Sequence, residues 1–286
     1  MTQKKTQLFV IVDPTANHQV ALVKALLIAK LADCHIHAFL CVYEDISKAE
    51  AYASRHDFKH KTLADARQWL DEQLEPCEVA GLSFATEIVW NSKWVDAAMH
   101  SIAKSACDLV IKSSFHHSKS RRFYRSTSDF KLMRHCACPI LFAHQTQEWK
   151  SNKLLACVDL ESTDSKHARL NDVIVRDARA IADIVGMDLY IGVAHKKEID
   201  VDNLPIKGHG HQVDLQQLGE LYDVDAARIF LRQGDTVTTL KGICDELDPS
   251  IVVMGTLART GIKGKLIGNT AEKLLDLIEA DVLTVN

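Results

Sequence analysis

The residues of this chain best suited to hold a ligand are two aspartates and one glycine-spaced, lysine-bearing loop. The apolar run Ile251-Val252-Val253-Met254 ends at Gly255, and the loop that follows leads to Gly268-Asn269-Thr270 and an amphipathic stretch. A buried strand feeding such a loop, and the loop feeding a helix N-terminus, turns backbone N–H groups and a positive dipole end toward an anion. Phosphate is the candidate. Gly255 and Gly268 lack a Cβ and would let a ligand approach the backbone closely; a plain chain turn is the other reading of the same glycines. Asp13 and Asp159 each follow directly on an apolar run, Leu8 to Val12 and Leu154 to Val158.

The other chemistry-bearing side chains are less organised. Eight cysteines lie scattered through apparent strands and helices, the distribution of reduced, packed thiols. Cys136-Ala137-Cys138 with His135, His35-Ile36-His37 and His209-Gly210-His211 lack a partner pair at metal-ligand spacing, so no metal is expected. The stretch His116 to Arg125 is basic; it reads as a solvated loop or as a site for some other anion.

Composition sets the frame for these residues. With 286 residues, 47% of them hydrophobic and 25% charged, the chain is an ordinary globular sequence long enough for two domains. A net charge of -4 gives no support to nucleic-acid binding through a basic surface. Asp13 interrupts the first apolar run too early for a signal peptide, and no run approaches a membrane span. A cytoplasmic protein is expected.

Apolar periodicity supplies the elements that must position the site. Strands are expected at 8–12, 37–43, 84–90, 109–111 and 140–142, and helices at 20–31, 63–74, 95–106 and 129–136. After a polar linker at 145–152 the programme restarts. Strands follow at 154–158, 189–193, 228–231, 251–254 and 282–285, with a helix from about 170 to 185 ending at Gly186 and another over 236–247.

The halves repeat. At an offset of 142 residues, Asp108–Ser113 falls on Ser250–Gly255 and Pro139–Phe142 falls on Asp281–Thr284. Alternating strand and helix calls for doubly wound, Rossmann-like α/β domains, here 1–146 and 151–286, each with a five-stranded parallel sheet. Ligands of such sheets sit beyond the carboxyl ends of strands one and four, where Asp159 and the Gly255 loop would meet.

At this point the sequence resembles the universal stress proteins, and their tandem-domain E type in particular. That family's nucleotide loop is G-x2-G-x9-G-[ST]. Gly255 and Gly268 fall at its first and third glycines, Ala258 replaces the second, and Asn269 then Thr270 follow. Val12-Asp13, Val158-Asp159, Ala258–Ile262 and Ile267–Glu272 carry the rest of the likeness. The resemblance implies an ATP or ADP site in the second domain, with Asp159 on the ribose, Val193 and Met254 lining the base, and Gly255, Leu257, Ala258, Gly268, Asn269 and Thr270 around the phosphates. It also implies an intrachain pseudo-dimer joined through the fifth strands, 140–144 against 282–286, and leaves room for further homodimerisation.

The departures from the pattern bear on this reading. A Cβ at Ala258 costs about 1 kcal/mol where a left-handed or close-approach glycine is expected. Asn269 and Glu272 have the spacing of a capping box, which would satisfy a helix end without a ligand. In the first half Ser113, His116 and Ser126 stand where the three glycines belong. A scaffold or interaction protein with decayed sites is therefore the alternative. An ATP-splitting enzyme would need a glycine-rich loop after strand one, and Asp13-Pro14-Thr15 and Asp159-Leu160-Glu161 supply none, so no catalytic residues are assigned.

Overall fold

The computed structural model describes residues 5–77, 79, 81–114, 122–144, 148–161, 165–196, 202, 204–205, 212–256 and 269–286. They fall into two compact units, Met1–Phe115 and His116–Asn286.

In the first unit β1 (Thr6–Val12), β2 (Cys34–Val42), β3 (Ser83–Trp90) and β4 (Leu109–Ser113) form a parallel sheet in the order β4-β1-β2-β3. Helices α1 (Val20–Leu31), α2 (Arg55–Leu74) and α3 (Trp94–Ser105) make the crossovers. β1 lies between β2 and β4 and is covered on both faces, so Leu8 to Val12 is a continuous buried run. The helix expected from Leu63 begins eight residues earlier, at Arg55. Its first turns carry polar residues whose periodicity is weak, and the start is set by Ser54, whose hydroxyl accepts the Asp57 N–H at 3.1 Å.

The second unit opens with α4 (Arg122–His135) and β5 (Ile140–Ala143). Residues 122–125, expected as loop, are the start of α4, which begins seven residues before the apolar period shows. β6 (Lys153–Val158), α5 (Ser165–Val185), β7 (Asp188–His195), a two-residue hairpin of β8 (Leu204–Pro205) and β9 (Gln212–Val213), α6 (Leu215–Tyr222), β10 (Ile229–Gln233), α7 (Thr236–Leu247), β11 (Ile251–Gly255), α8 (Asn269–Leu277) and β12 (Asp281–Val285) complete it. Gly186 ends α5 at φ +70, as a C-terminal glycine should. The β8/β9 hairpin was not expected; two residues per strand carry no alternation to read.

In the second unit six sheet strands, where five were expected, lie in the order β10-β7-β6-β11-β12-β5. All pairs but one are parallel. The exception is β5 on β12, antiparallel, with Phe142, Leu141 and Ile140 opposite Val282, Leu283 and Thr284. The two expected fifth strands thus meet edge to edge, and the boundary expected near 145–152 falls inside the second unit because β5 is bound there. The linker itself is anchored: Trp149 Nε1 donates to the buried Asp281 carboxylate at 2.7 Å, and Ser151 and Ser250 exchange two hydrogen bonds.

Candidate functional site

In both units strands one and four of the repeat lie side by side, β1 with β4 and β6 with β11. In the second unit Met254 is paired with Cys157, so the chain leaves β11 beside the point where it leaves β6 at Asp159. The start of the glycine-spaced loop and the acidic residue are therefore neighbours at one carboxyl edge, where ligands of such sheets sit.

Asp159 is held by an amide clamp. Its N–H donates to Asn171 Oδ1 at 3.0 Å, and its carbonyl accepts from Asn171 Nδ2 at 2.8 Å. Asn171 is buried on α5, so both backbone groups are satisfied away from water. The Asp159 carboxylate accepts the Glu161 N–H at 3.1 Å, closing a local turn. The first unit repeats the device with a longer side chain: Asp13 N–H donates to Gln19 Oε1 at 3.2 Å, and Gln19 Nε2 donates to the Asp13 carbonyl at 2.9 Å. Asp13 Oδ1 then accepts from Thr15. Neither amide was singled out in the sequence, because the clamp joins residues six and twelve positions apart with no motif between them.

Gly255 has a different role from the one its spacing suggests. A Cβ there would lie 2.3 Å from Leu170 Cδ2, 2.8 Å from its Cγ and 3.2 Å from Ile174 Cδ1. The missing side chain makes room for α5 rather than for a ligand on that face. At the equivalent place in the first unit Ser113 is buried, and its hydroxyl accepts the Ala21 N–H at 2.9 Å, in the first turn of α1. The same repeat position therefore fits a leucine against a glycine in one half and caps a helix with a hydroxyl in the other.

Val193 and Met254 are both buried but do not share a face. Met254 pairs with Cys157 and Cys157 with Gly192, so these three point one way, while Val193, one residue on, points the other. Both side chains cannot line one base; Val193 can contribute only main-chain groups to Met254's side. Thr270 is partly exposed in the first turn of α8, and Asn269 begins that helix. Leu257, Ala258 and Gly268 lie outside the described residues. Glu272, expected as half of a capping box with Asn269, pairs with Arg134 of α4 at 3.2 Å.

A second polar group at this edge was missed. Glu161 Oε1 accepts the Lys196 N–H at 2.8 Å and lies 3.4 Å from Nδ1 of the buried His195, the last residue of β7. Its signal was available in the sequence: an acidic residue two positions beyond Asp159 and a histidine closing the next strand. Among the described residues no group of three or more His, Cys, Asp or Glu side chains could hold a metal, and no helix is long and apolar enough to cross a membrane.

Comparison with known proteins agrees with this architecture. Residues 189–286 match the model of the universal stress protein family. The chain is 24% identical over 295 aligned positions to universal stress protein E of Photorhabdus laumondii, covering 97% of this chain and 94% of that one. The E homologue of Haemophilus influenzae is 21% identical over 99% of this chain and 97% of its own. A putative universal stress protein of Pseudomonas aeruginosa superposes with a TM-score of 0.73 at 26% identity, covering 98% and 93% of the two chains. One from Archaeoglobus fulgidus, at 12% identity, shares the fold with a TM-score of 0.71 over 98% of each chain. With nearly its whole length aligned to E-type relatives and residues 189–286 matched to the family model, this chain is similar to the universal stress proteins, and to their E type in particular.

Proposed function

We propose that the protein is a cytoplasmic stress-response factor that holds ATP or ADP in its second half, as a bound signal and without fast chemistry. The observation that carries the reading is the adjacency of Asp159 and the end of β11: a rigid, amide-clamped acidic residue stands beside the strand that launches the glycine loop. Asp159 takes the ribose, Met254 the base, and Ala258, Gly268, Asn269 and Thr270 the phosphates, with α8 supplying a helix N-terminus. Pairing with Arg134 offsets the charge of Glu272, which would otherwise oppose a phosphate. The first half lacks all three loop glycines and holds no nucleotide in this reading.

Calorimetry with ATP tests it on the wild type, Asp159→Ala, Gly268→Val and Ala258→Gly. Gly268→Val abolishes binding, Asp159→Ala weakens it and Ala258→Gly strengthens it. Binding that survives Gly268→Val but is lost on altering Asp13 or Ser126 places the site in the first half and refutes the assignment.

One observation favours a second reading. Gly255 serves the packing of α5, so one of the two family glycines kept here needs no ligand to explain it. In that reading the chain acts as an interaction module, and no adenine nucleotide copurifies with it or binds it.

A further inference from the structure

We infer that Cys136 and Cys138 form a thiol oxidation site, in which a hydroperoxide converts the pair to a disulfide and so disturbs the edge of the second sheet from which the glycine loop departs.

The placement comes from the antiparallel joint. The Cys136-Ala137-Cys138 turn links α4 to the start of β5, and because β5 runs against β12, that start lies beside the end of β12, where the carboxyl ends of β11 and β12 also lie. A direct path of hydrogen bonds follows. The Cys136 carbonyl accepts from Asn286 Nδ2 at 2.7 Å; the Asn286 side-chain oxygen is bonded to the Thr256 hydroxyl; Thr256 N–H donates to the Val285 carbonyl at 3.0 Å. Thr256 is the last described residue before the glycine loop, and it is 4% exposed.

The two sulfurs suit the chemistry. They stand two residues apart in one turn, and the interaction with Cys138 together with burial pushes the Cys136 thiol above its ordinary range, so Cys136 stays protonated and is the later partner. Cys136 is 3% exposed whereas Cys138 is only half-buried, so Cys138 is the sulfur an oxidant meets. As thiolate, Cys138 attacks the peroxide oxygen; the O–O bond breaks, water or an alcohol leaves with the proton, and Cys138 becomes a sulfenic acid. The Cys136 sulfur then attacks that sulfur, gives up its proton, and the hydroxyl leaves as water. The peroxide is reduced by two electrons and the thiols are oxidised by two. Closing the bond draws the two sulfurs to about 2.05 Å. That movement pulls on the backbone of the turn whose carbonyl Asn286 grips.

No other described thiols combine these features. Cys157 is raised by its burial and by Cys244 nearby, but both thiols are buried and burial raises both. Cys41 and Cys77 are half-buried, and each donates to a backbone carbonyl instead, Asn91 and Gln73 respectively.

The test uses the full chain, reduced, desalted and treated with a stoichiometric amount of hydrogen peroxide, followed by thiol alkylation and peptide mass mapping. The first product is a loss of two hydrogens in the peptide that holds residues 136 and 138. Cys136→Ser stops at a sulfenic acid on residue 138 that dimedone traps, and Cys138→Ser is inert at this peptide. Hydrogen exchange then reads the consequence, with several-fold faster exchange at Thr256 and the end of β11 in the oxidised wild type and no change in treated Cys138→Ser. First oxidation at another thiol, or a disulfide at this site that leaves exchange at Thr256 unaltered, overturns the inference. Weaker ATP binding by the oxidised form is expected only if the proposed nucleotide site is right; the mass and exchange readouts do not depend on it.

Discussion

Leu141 and Leu283 lie directly opposite each other across the antiparallel pair of β5 and β12, and they occupy the same position of the two repeats, 142 residues apart. Their neighbours exchange roles: Phe142 meets Val282, and Ile140 meets Thr284. A register centred on equivalent residues is the pattern of an isologous contact, made here within one chain.

Both leucines are 1% exposed, so Leu141→Ala and Leu283→Ala should each destabilise the protein by about 2–5 kcal/mol in urea unfolding. Because the side chains are partners, the double variant should depart from additivity by about 0.5 kcal/mol or more. Additive losses would mean that the pair does not act as a unit.

Gly255→Ala should cost about 1–3 kcal/mol, since the new Cβ overlaps a branched side chain on a packed helix. Leu170→Ala in the same background should recover part of the loss beyond what the single changes predict. Gly192→Ala serves as the comparison. Its Cβ would meet Leu155 Cδ1 at 3.1 Å, a contact a small side-chain shift can relieve, so the effect should be smaller.

The amide clamps predict a graded series. Asn171→Ala leaves the Asp159 N–H and C=O without their partner and should cost about 1–3 kcal/mol in thermal or urea unfolding. Asn171→Asp keeps an acceptor and loses the donor. It should therefore be destabilising too, through the Asp159 carbonyl. Gln19→Ala should act in the same way in the first unit.

Alkaline pH should weaken the fold through its buried thiols. Burial, reinforced by Asp245 and opposed by Lys241, pushes the Cys244 thiol from an ordinary 9.0 up to about 12. In the unfolded chain this thiol ionises first, so between those values the folded state binds more protons. Its stabilising contribution is complete below pH 9.0 and is lost as pH rises toward about 12. Thermal midpoints should fall over that window, and the slope should be shallower in Cys244→Ala; an unchanged slope would remove this thiol from the account.

Much of the fold is legible in the sequence because apolar period and burial coincide. α7 has the bounds its residues suggest and starts where Asp235 can accept the Thr238 N–H, and β11 runs only one residue past the expected 254. α2 starts earlier than expected because its opening residues Arg55, His56 and Asp57 are polar and exposed, and period alone cannot see a helix that begins so; α4 also begins ahead of the period read in the sequence. The site is less legible. Spacing identifies Asp159 and Gly255 but cannot tell a glycine that admits a ligand from one that admits Leu170, and it gives no sign of Asn171, which acts from the next helix. The opposed faces of Val193 and Met254 follow from strand register, which no single strand reveals.

The β5/β12 register also bears on how such a chain can change over generations. In an assembly of two identical copies every substitution at the axis appears twice and must suit its own image. Once both sides belong to one polypeptide, each position mutates alone, and complementarity can replace self-complementarity. Phe142 against Val282 and Ile140 against Thr284 already show this, with the Thr284 hydroxyl donating to the Ile140 carbonyl and no counterpart on the other side of the Leu141/Leu283 pair, where valine stands. A joint inside one chain is thus exempt from symmetry while it keeps the geometry of a symmetric contact.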